Sequence, residues 1–240
     1  MKKILLTGGS GNLGGAILKS GKFQNLLTPS HNELDITRKQ QIKDFFQDNE
    51  IVMVVHCAAV SNMKGYKENP VKAIETNIIG TSNLVSEVKD KKIRFIHIST
   101  DGVYNRTKGS YSEKGETIPY DEYGWTKLGA ECSVRTLRDY CIIRTSFFNP
   151  EKLNFSDSPT DVYSSKIPID ELVEAIRFLS ENEFKGVINI GVPRISSYDL
   201  YKQFIPNLKP CKLNDLVDGL TENLPNDSSM DVSLWEKLKN

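Results

Sequence analysis

Tyr123 and Lys127 frame the segment Tyr123-Gly124-Trp125-Thr126-Lys127, a spacing that puts a phenol and an ammonium one turn apart on a single helix face. Such a pair can donate a proton to a ketone: the cation favours phenolate and is expected to lower the tyrosine pKa toward neutrality. Alone, the pair is common surface decoration. Here it opens a helix that precedes an apolar strand, while Ser99-Thr100-Asp101 closes the strand before it. That placement brings a hydroxyl, a carboxylate, a phenol and an ammonium toward one crevice.

A second cluster sits at the N-terminus. Thr7-Gly8-Gly9-Ser10-Gly11-Asn12-Leu13-Gly14 sets glycines at 8, 11 and 14, directly after an apolar strand and at the mouth of a helix. Gly8 suits a tight turn, Gly11 leaves room for a pyrophosphate to approach the backbone, and Gly14 lets helix and sheet pack closely. The N–H groups of the helix start then face the anion. This is the pattern of a dinucleotide site, NADP or NAD. The second strand ends Pro29-Ser30-His31-Asn32, with no carboxylate to accept a ribose 2′-hydroxyl. Ser30 and His31 could donate to a 2′-phosphate, which mildly favours NADP, although no arginine stands beside them in the sequence. Asp35 and Ile36 follow, suited to the adenine amino group and ring; an ordinary role for Asp35 in approaching the next helix is as plausible.

The elements that must carry these residues are strands at 3–7, 26–29, 52–56, 94–99 and 141–144, alternating with helical patterns at 13–19, 37–47, 70–89 and 123–139. Thr37 reads as an N-cap, and Pro70 fits a first helical turn. Alternation of this kind gives a doubly wound parallel sheet. After Arg144 the pattern loosens: 146–165 reads as loop, followed by a helix at 169–180, a strand at 186–190, a helix at 197–204 and a short tail helix at 234–238. The fold expected is α/β, a Rossmann-type domain over 1–146, with 147–240 forming a small substrate lobe interleaved with late sheet elements.

Composition narrows the field. The 240 residues carry 31 Lys+Arg and 31 Asp+Glu, so no net field draws nucleic acid or other polyanions. The longest nearly apolar run, 51–60, is far too short to cross a bilayer, and the N-terminal apolar run meets glycines, so it reads as a strand and not as a signal core. Four scattered cysteines, with no metal-ligand spacing, fit reduced thiols in a cytoplasm and no bound metal. His56 and His97 read as core histidines, Cys57 as a small buried residue, and Trp125 and Trp235 as packing residues.

Across most of the first 150 positions the sequence resembles the extended short-chain dehydrogenase/reductases, and among them the dTDP-4-dehydrorhamnose reductase family. The resemblance rests on Gly8-x-x-Gly11-x-x-Gly14, Glu33-Leu34-Asp35-Ile36-Thr37, Cys57-Ala58-Ala59, Asn77 with Gly80 and Asn83-Leu84, His97-Ile98-Ser99-Thr100-Asp101, Tyr123-Gly124-x-Thr126-Lys127 and Arg144-Thr145-Ser146. It implies reduction of a nucleotide-linked 4-keto sugar. Tyr123 would give the proton, Lys127 would hold the nicotinamide ribose, and Thr100 would hydrogen-bond the keto oxygen. Asn12, Leu13, Cys57, Ala58, Ala59, Ser99 and Ser146 would line the cofactor, Asn77 would support it from the next helix, and Phe147 would form a wall for the sugar. Asp101 could meet substrate or merely cap its turn. A homodimer is a family expectation.

Several positions depart from that pattern. Gly102 stands where the family has Tyr, Lys64 and Lys67 where acidic residues are usual, and Leu224 where an Arg usually precedes the tail proline; the stretch after Phe148 is shorter. The departures fall on the substrate side. The alternatives are therefore an epimerase or dehydratase, which Asp101 without a following Glu disfavours, and a non-catalytic binding subunit like the regulatory subunit of methionine adenosyltransferase.

Overall fold

The computed structural model describes residues 2–61, 69–216 and 226–240. Its centre is a six-stranded parallel sheet of β1 (Lys3–Thr7), β2 (Leu26–Leu27), β3 (Ile51–His56), β4 (Arg94–Ile98), β5 (Tyr140–Thr145) and a late strand, Gly186–Ile190, in the order β2-β1-β3-β4-β5-late strand. Neighbouring residues on these strands point to opposite faces, and both faces are covered. Leu6, Val55, Ile96 and Ile143 pack on one side, and Leu5, Val54, Phe95 and Ile142 on the other. The strands therefore read as continuous apolar runs in place of an alternating pattern.

The first side is covered by α1 (Asn12–Ser20), through Leu13 and Ile17, and by a helix over Ile169–Glu181, through Leu172, Ile176 and Leu179. The second is covered by α2 (Lys39–Asp48), by the helical run that starts as α3 (Pro70–Ala73) and passes through a π-helical stretch (Ile74–Gly80) into α4 (Thr81–Val88), and by α5 (Glu122–Val134). The stretch 146–165, read as loop, holds three short strands, β6 (Phe147–Phe148), β7 (Asp157–Pro159) and β8 (Tyr163–Ser164), and β9 (Ile167–Pro168) follows it. The helix over Ile169–Glu181 is then α6 and the sixth sheet strand β10. Beyond them lie β11 (Ile195–Ser196), α7 (Ser197–Tyr201), β12 (Lys209–Cys211), α8 (Leu213–Leu216) and a tail helix α9 (Ser233–Lys239). Because α6, β10 and Trp235 share the core of the first side, the later part of the chain is built onto the same sheet.

Some local expectations are corrected. Thr37 is not the N-cap of α2: Asp35 Oδ1 accepts from the Thr37 N–H (2.9 Å) and hydroxyl (2.7 Å), which holds the turn open and delays the helix to Lys39. Pro70 does lie in a first turn, with Asn69 accepting from the Lys72 N–H at 3.0 Å. The tyrosine helix ends at Val134, well before Asp139, in tight turns through Leu137. Trp125 is 54% exposed, so it is no packing residue, whereas Trp235 is buried. Among the described residues no helix is long and apolar enough to cross a membrane, and no cluster of three or more His, Cys, Asp and Glu could hold a metal.

Candidate active site

β1 has β2 on one side and β3 on the other, so a crevice opens beyond their carboxyl ends. The glycine turn fills its mouth, and each glycine is required for a different reason. Gly8 has φ +74°, and a Cβ there would lie 2.6 Å from the Ala58 nitrogen. At Gly14 a Cβ would lie 2.2 Å from the Gly8 oxygen, so α1 could not approach the turn. At Gly11, the N-cap of α1, a Cβ would meet only the Gly8 oxygen at 3.2 Å, and the space in front is otherwise open. An open backbone face at a helix start is the cradle a pyrophosphate needs.

Two adjoining clefts, each of about 330 Å³, meet at Gly8, Gly11, Cys57 and Ala59. That size falls within the range of small-molecule sites. One cleft runs to His31, Asp35, Ile36 and Ala58. Burial pushes the Asp35 carboxyl up, but the Thr37 hydrogen bonds, His31 and Arg38 outweigh it, and Asp35 is held below its ordinary value. Arg38 Nε lies 3.4 Å from Asp35, outside the lining of the cleft. Ser30 is not on the cleft; its N–H and hydroxyl both donate to Glu33 at 2.7 Å.

The other cleft gathers Asn12, Leu13, Gly14, Ser99, Thr100, Asp101, Tyr123, Lys127, Ser146 and Phe147, together with Arg106, which sequence reasoning missed. Asp121 starts α5 by accepting from the Gly124 N–H at 2.8 Å, and a Cβ at Gly124 would lie 2.2 Å from the Gly102 oxygen. This close approach seats Tyr123 beside the 3₁₀ turn over Asp101–Val103. Asn77 is buried behind the cleft and does not line it. Its carboxamide clamps the Val60 N–H and C=O (2.8 and 3.1 Å) and donates to the Thr126 hydroxyl (3.0 Å), tying the segment after β3 to α5. Gly102 is buried too, with the Arg106 Nη2 only 2.9 Å from where its Cβ would be.

The electrostatics differ from those expected of the pair. Burial, with Asp101 and Asp121, pushes the Tyr123 phenol well above its usual value, and the opposing cation is Arg106, not Lys127. Lys127 points to His97, Nζ to Nε2 at 3.3 Å, and burial lowers its pKa to about 8 against the pull of Glu131 and Cys57. Burial keeps both histidines neutral, His56 at about 3 and His97 well below its ordinary value. His56 is satisfied by the Thr7 and Thr81 hydroxyls at 2.7 and 2.8 Å. The Cys57 thiol is raised to about 12 by burial, so it is inert.

Behind Ser99 lies a buried network that no motif announced. Ser99 donates to Glu131 at 2.6 Å, Glu131 accepts from Arg144 Nη2 at 2.7 Å, and Arg144 Nη1 donates to the Tyr104 hydroxyl at 2.9 Å. Only the resemblance at Arg144-Thr145-Ser146 pointed to this strand end. Lys64, Lys67 and Leu224 lie outside the described residues.

Residues 1–164 match the model of the RmlD substrate binding domain family. The chain belongs to this family. Curated relatives include a probable low-salt glycan biosynthesis reductase of Haloferax volcanii, 31% identical over 166 residues, covering 63% of this chain and 55% of that one. Methionine adenosyltransferase 2 subunit beta of Mus musculus is 28% identical over 142 residues, covering 55% of this chain and 42% of that protein. The chain spans about half the length of these curated relatives. Among solved structures, dTDP-4-dehydrorhamnose reductase of Bacillus anthracis in complex with NADP superposes with a TM-score of 0.84 at 20% identity, over 99% of this chain and 93% of that one. The RmlD-type assignment accounts for the doubly wound sheet and for the crevice at its carboxyl edge.

Proposed function

We propose that this protein is an NAD(P)H-dependent reductase of a nucleotide-linked 4-keto deoxysugar. The observation that carries this reading is the convergence of Thr100, Tyr123 and Lys127 on one cleft that is continuous with the glycine turn. The open face at Gly11 fits a dinucleotide pyrophosphate, and Asp35 and Ile36 fit its adenosine end. When bound, the nicotinamide supplies the hydride. Tyr123, protonated in its buried setting, gives its phenolic proton to the sugar oxygen as charge develops there. Thr100 Oγ1 is held by the Gly102 N–H at 3.0 Å and donates to Asp101 at 3.2 Å; turning that proton to the keto oxygen polarises the carbonyl. Lys127 holds the nicotinamide ribose, and Phe147 walls the sugar.

Residues 1–146 hold the dinucleotide on this reading and 147–240 contribute the sugar lobe. NADP is favoured over NAD because His31 lines the adenosine cleft and the carboxylate there, Asp35, is engaged by Thr37 and paired with Arg38. Four free cysteines are consistent with a cytoplasmic protein, and exposed Val71, Ile74, Ile79 and Trp125 on adjoining helices with a homodimer. Gly102 and the match to methionine adenosyltransferase 2 subunit beta favour the second reading, a non-catalytic subunit that binds dinucleotide. Titration with NADPH and NADH, followed by a screen of 4-keto-6-deoxy nucleotide sugars for cofactor oxidation, separates them. Turnover supports the reductase, and binding without turnover overturns it in favour of the subunit.

A further inference from the structure

Arg106 is an unusual residue for its position. Its backbone lies at φ +60°, a left-handed conformation that favours glycine, yet the position carries a long cation. The side chain folds back over Gly102, where Nη2 lies 2.9 Å and Thr100 Oγ1 3.3 Å from the point a Cβ would occupy. The guanidinium therefore lines the cleft within a few ångströms of the hydroxyl assigned to the keto oxygen. It is only loosely held there. Its nearest carboxylates, Asp101 and Asp121, are at 3.9 and 3.7 Å, beyond hydrogen-bond distance, and each already has a donor, from the Thr100 hydroxyl and the Gly124 N–H. Its Nε is buried without a hydrogen-bond partner among the described residues.

A guanidinium offers five N–H donors in a rigid planar fork that matches carboxylate and phosphate oxygens. A half-buried fork whose Nη groups are ion-paired to Asp101 and Asp121 but make no hydrogen bond among the described residues, on a cleft beside the reacting carbonyl, is arranged for an anion brought by the ligand. We infer that Arg106 is a specificity-determining residue that binds an anionic oxygen of the sugar nucleotide, either a carboxylate on the sugar ring or a phosphate of its diphosphate. This rests on the reductase reading for the identity of the carbonyl, but the anion site itself can be tested without turnover. Gly102 and Arg106 then work together: the missing side chain at 102 makes the room that the arginine fills, so the substrate side of the cleft is altered and not simply emptied.

The test uses the full chain with Arg106→Gln, Arg106→Lys and Arg106→Gly; the glycine variant relaxes the backbone, so strain cannot explain its behaviour. Calorimetry with dTDP and with UDP reads the phosphate arm. Calorimetry with a 4-keto-6-deoxyhexose nucleotide and with a 4-keto-hexuronate nucleotide reads the carboxylate arm, and NADPH oxidation with the same two reads turnover separately. Loss of one charge-assisted fork weakens the anion roughly tenfold to a hundredfold in the Gln and Gly variants, seen in Kd or KM more than in kcat, with partial recovery in Lys. A loss seen with dTDP or UDP alone assigns the phosphate, and a loss confined to the hexuronate assigns the carboxylate. Unchanged affinity for all four ligands overturns the inference, as does a wild-type chain that binds none of them. Wild-type binding that depends on Arg106, with no turnover of any sugar, defeats the reductase reading alone.

Discussion

Gly11→Val separates the two demands that the glycine turn places on its residues. At position 11 the backbone is extended (φ −79°, ψ 173°), which any residue adopts, and the new Cβ meets only the Gly8 oxygen at 3.2 Å. A shift of a few tenths of an ångström relieves that contact, so the stability cost is under about 1 kcal/mol, or roughly 2–4 °C in Tm for a chain of this size. The valine methyls, however, project into the open face where a pyrophosphate must approach the backbone. Blocking two charge-assisted hydrogen bonds there, each worth about 1.5–3 kcal/mol, weakens NADPH by roughly a hundredfold or more. The control is Gly14→Ala, whose Cβ at 2.2 Å from the Gly8 oxygen forces α1 off the turn. It loses folding stability as well as binding. Fluorescence titration with NADPH, paired with thermal melts, reads both. A folded Gly11→Val protein that binds NADPH as tightly as the wild type refutes the assignment of the turn.

Further outcomes follow from the buried charges. Lys127 carries its proton below about 8 and loses it above, so NADPH affinity falls as pH rises through about 8; Lys127→Met binds more weakly and lacks that limb in a pH titration, and a wild-type profile flat to pH 10 contradicts the ribose role. Removing the Glu131 carboxylate in Glu131→Gln leaves Arg144, which is 1% exposed, an uncompensated buried cation. The cost is about 3–5 kcal/mol, read as a Tm drop of roughly 10 °C; a double variant replacing both with Met loses less. His56 is fully buried with a pKa near 3 against an ordinary 6.5, so between those values the unfolded chain takes a proton that the native chain refuses. Stability is therefore lost as pH falls below about 6.5, by about 1.4 kcal/mol per unit from this residue, and His56→Gln flattens that slope in melts across pH 7 to 4.

The sheet was legible because both its faces are buried: paired apolar residues such as Val54-Val55 and Ile142-Ile143 leave an unmistakable run. The glycine turn was legible because backbone sterics confine it to one residue type. What the sequence hid were contacts set by folding. Arg38 reaches Asp35 from the next turn, Arg106 folds back over Gly102, and Glu131 meets Arg144 across a helix and a strand. The pKa of Tyr123 was misjudged for the same reason. Spacing along α5 places Lys127 on its face, but burial and two carboxylates dominate the phenol while Lys127 turns to His97. Trp125 was misjudged because a large apolar side chain on a helix does not reveal which face it takes.

The central claim is that Tyr123 delivers a proton to a sugar ketone in a site whose dinucleotide binding does not depend on that hydroxyl. Tyr123→Phe removes one oxygen and leaves the ring, so NADPH titration and 4-keto-6-deoxy nucleotide sugar reduction should be measured side by side on the variant and the wild type. The account predicts unchanged NADPH affinity with reduction lost by a factor of roughly a hundred or more. Reduction at the wild-type rate by Tyr123→Phe would contradict it.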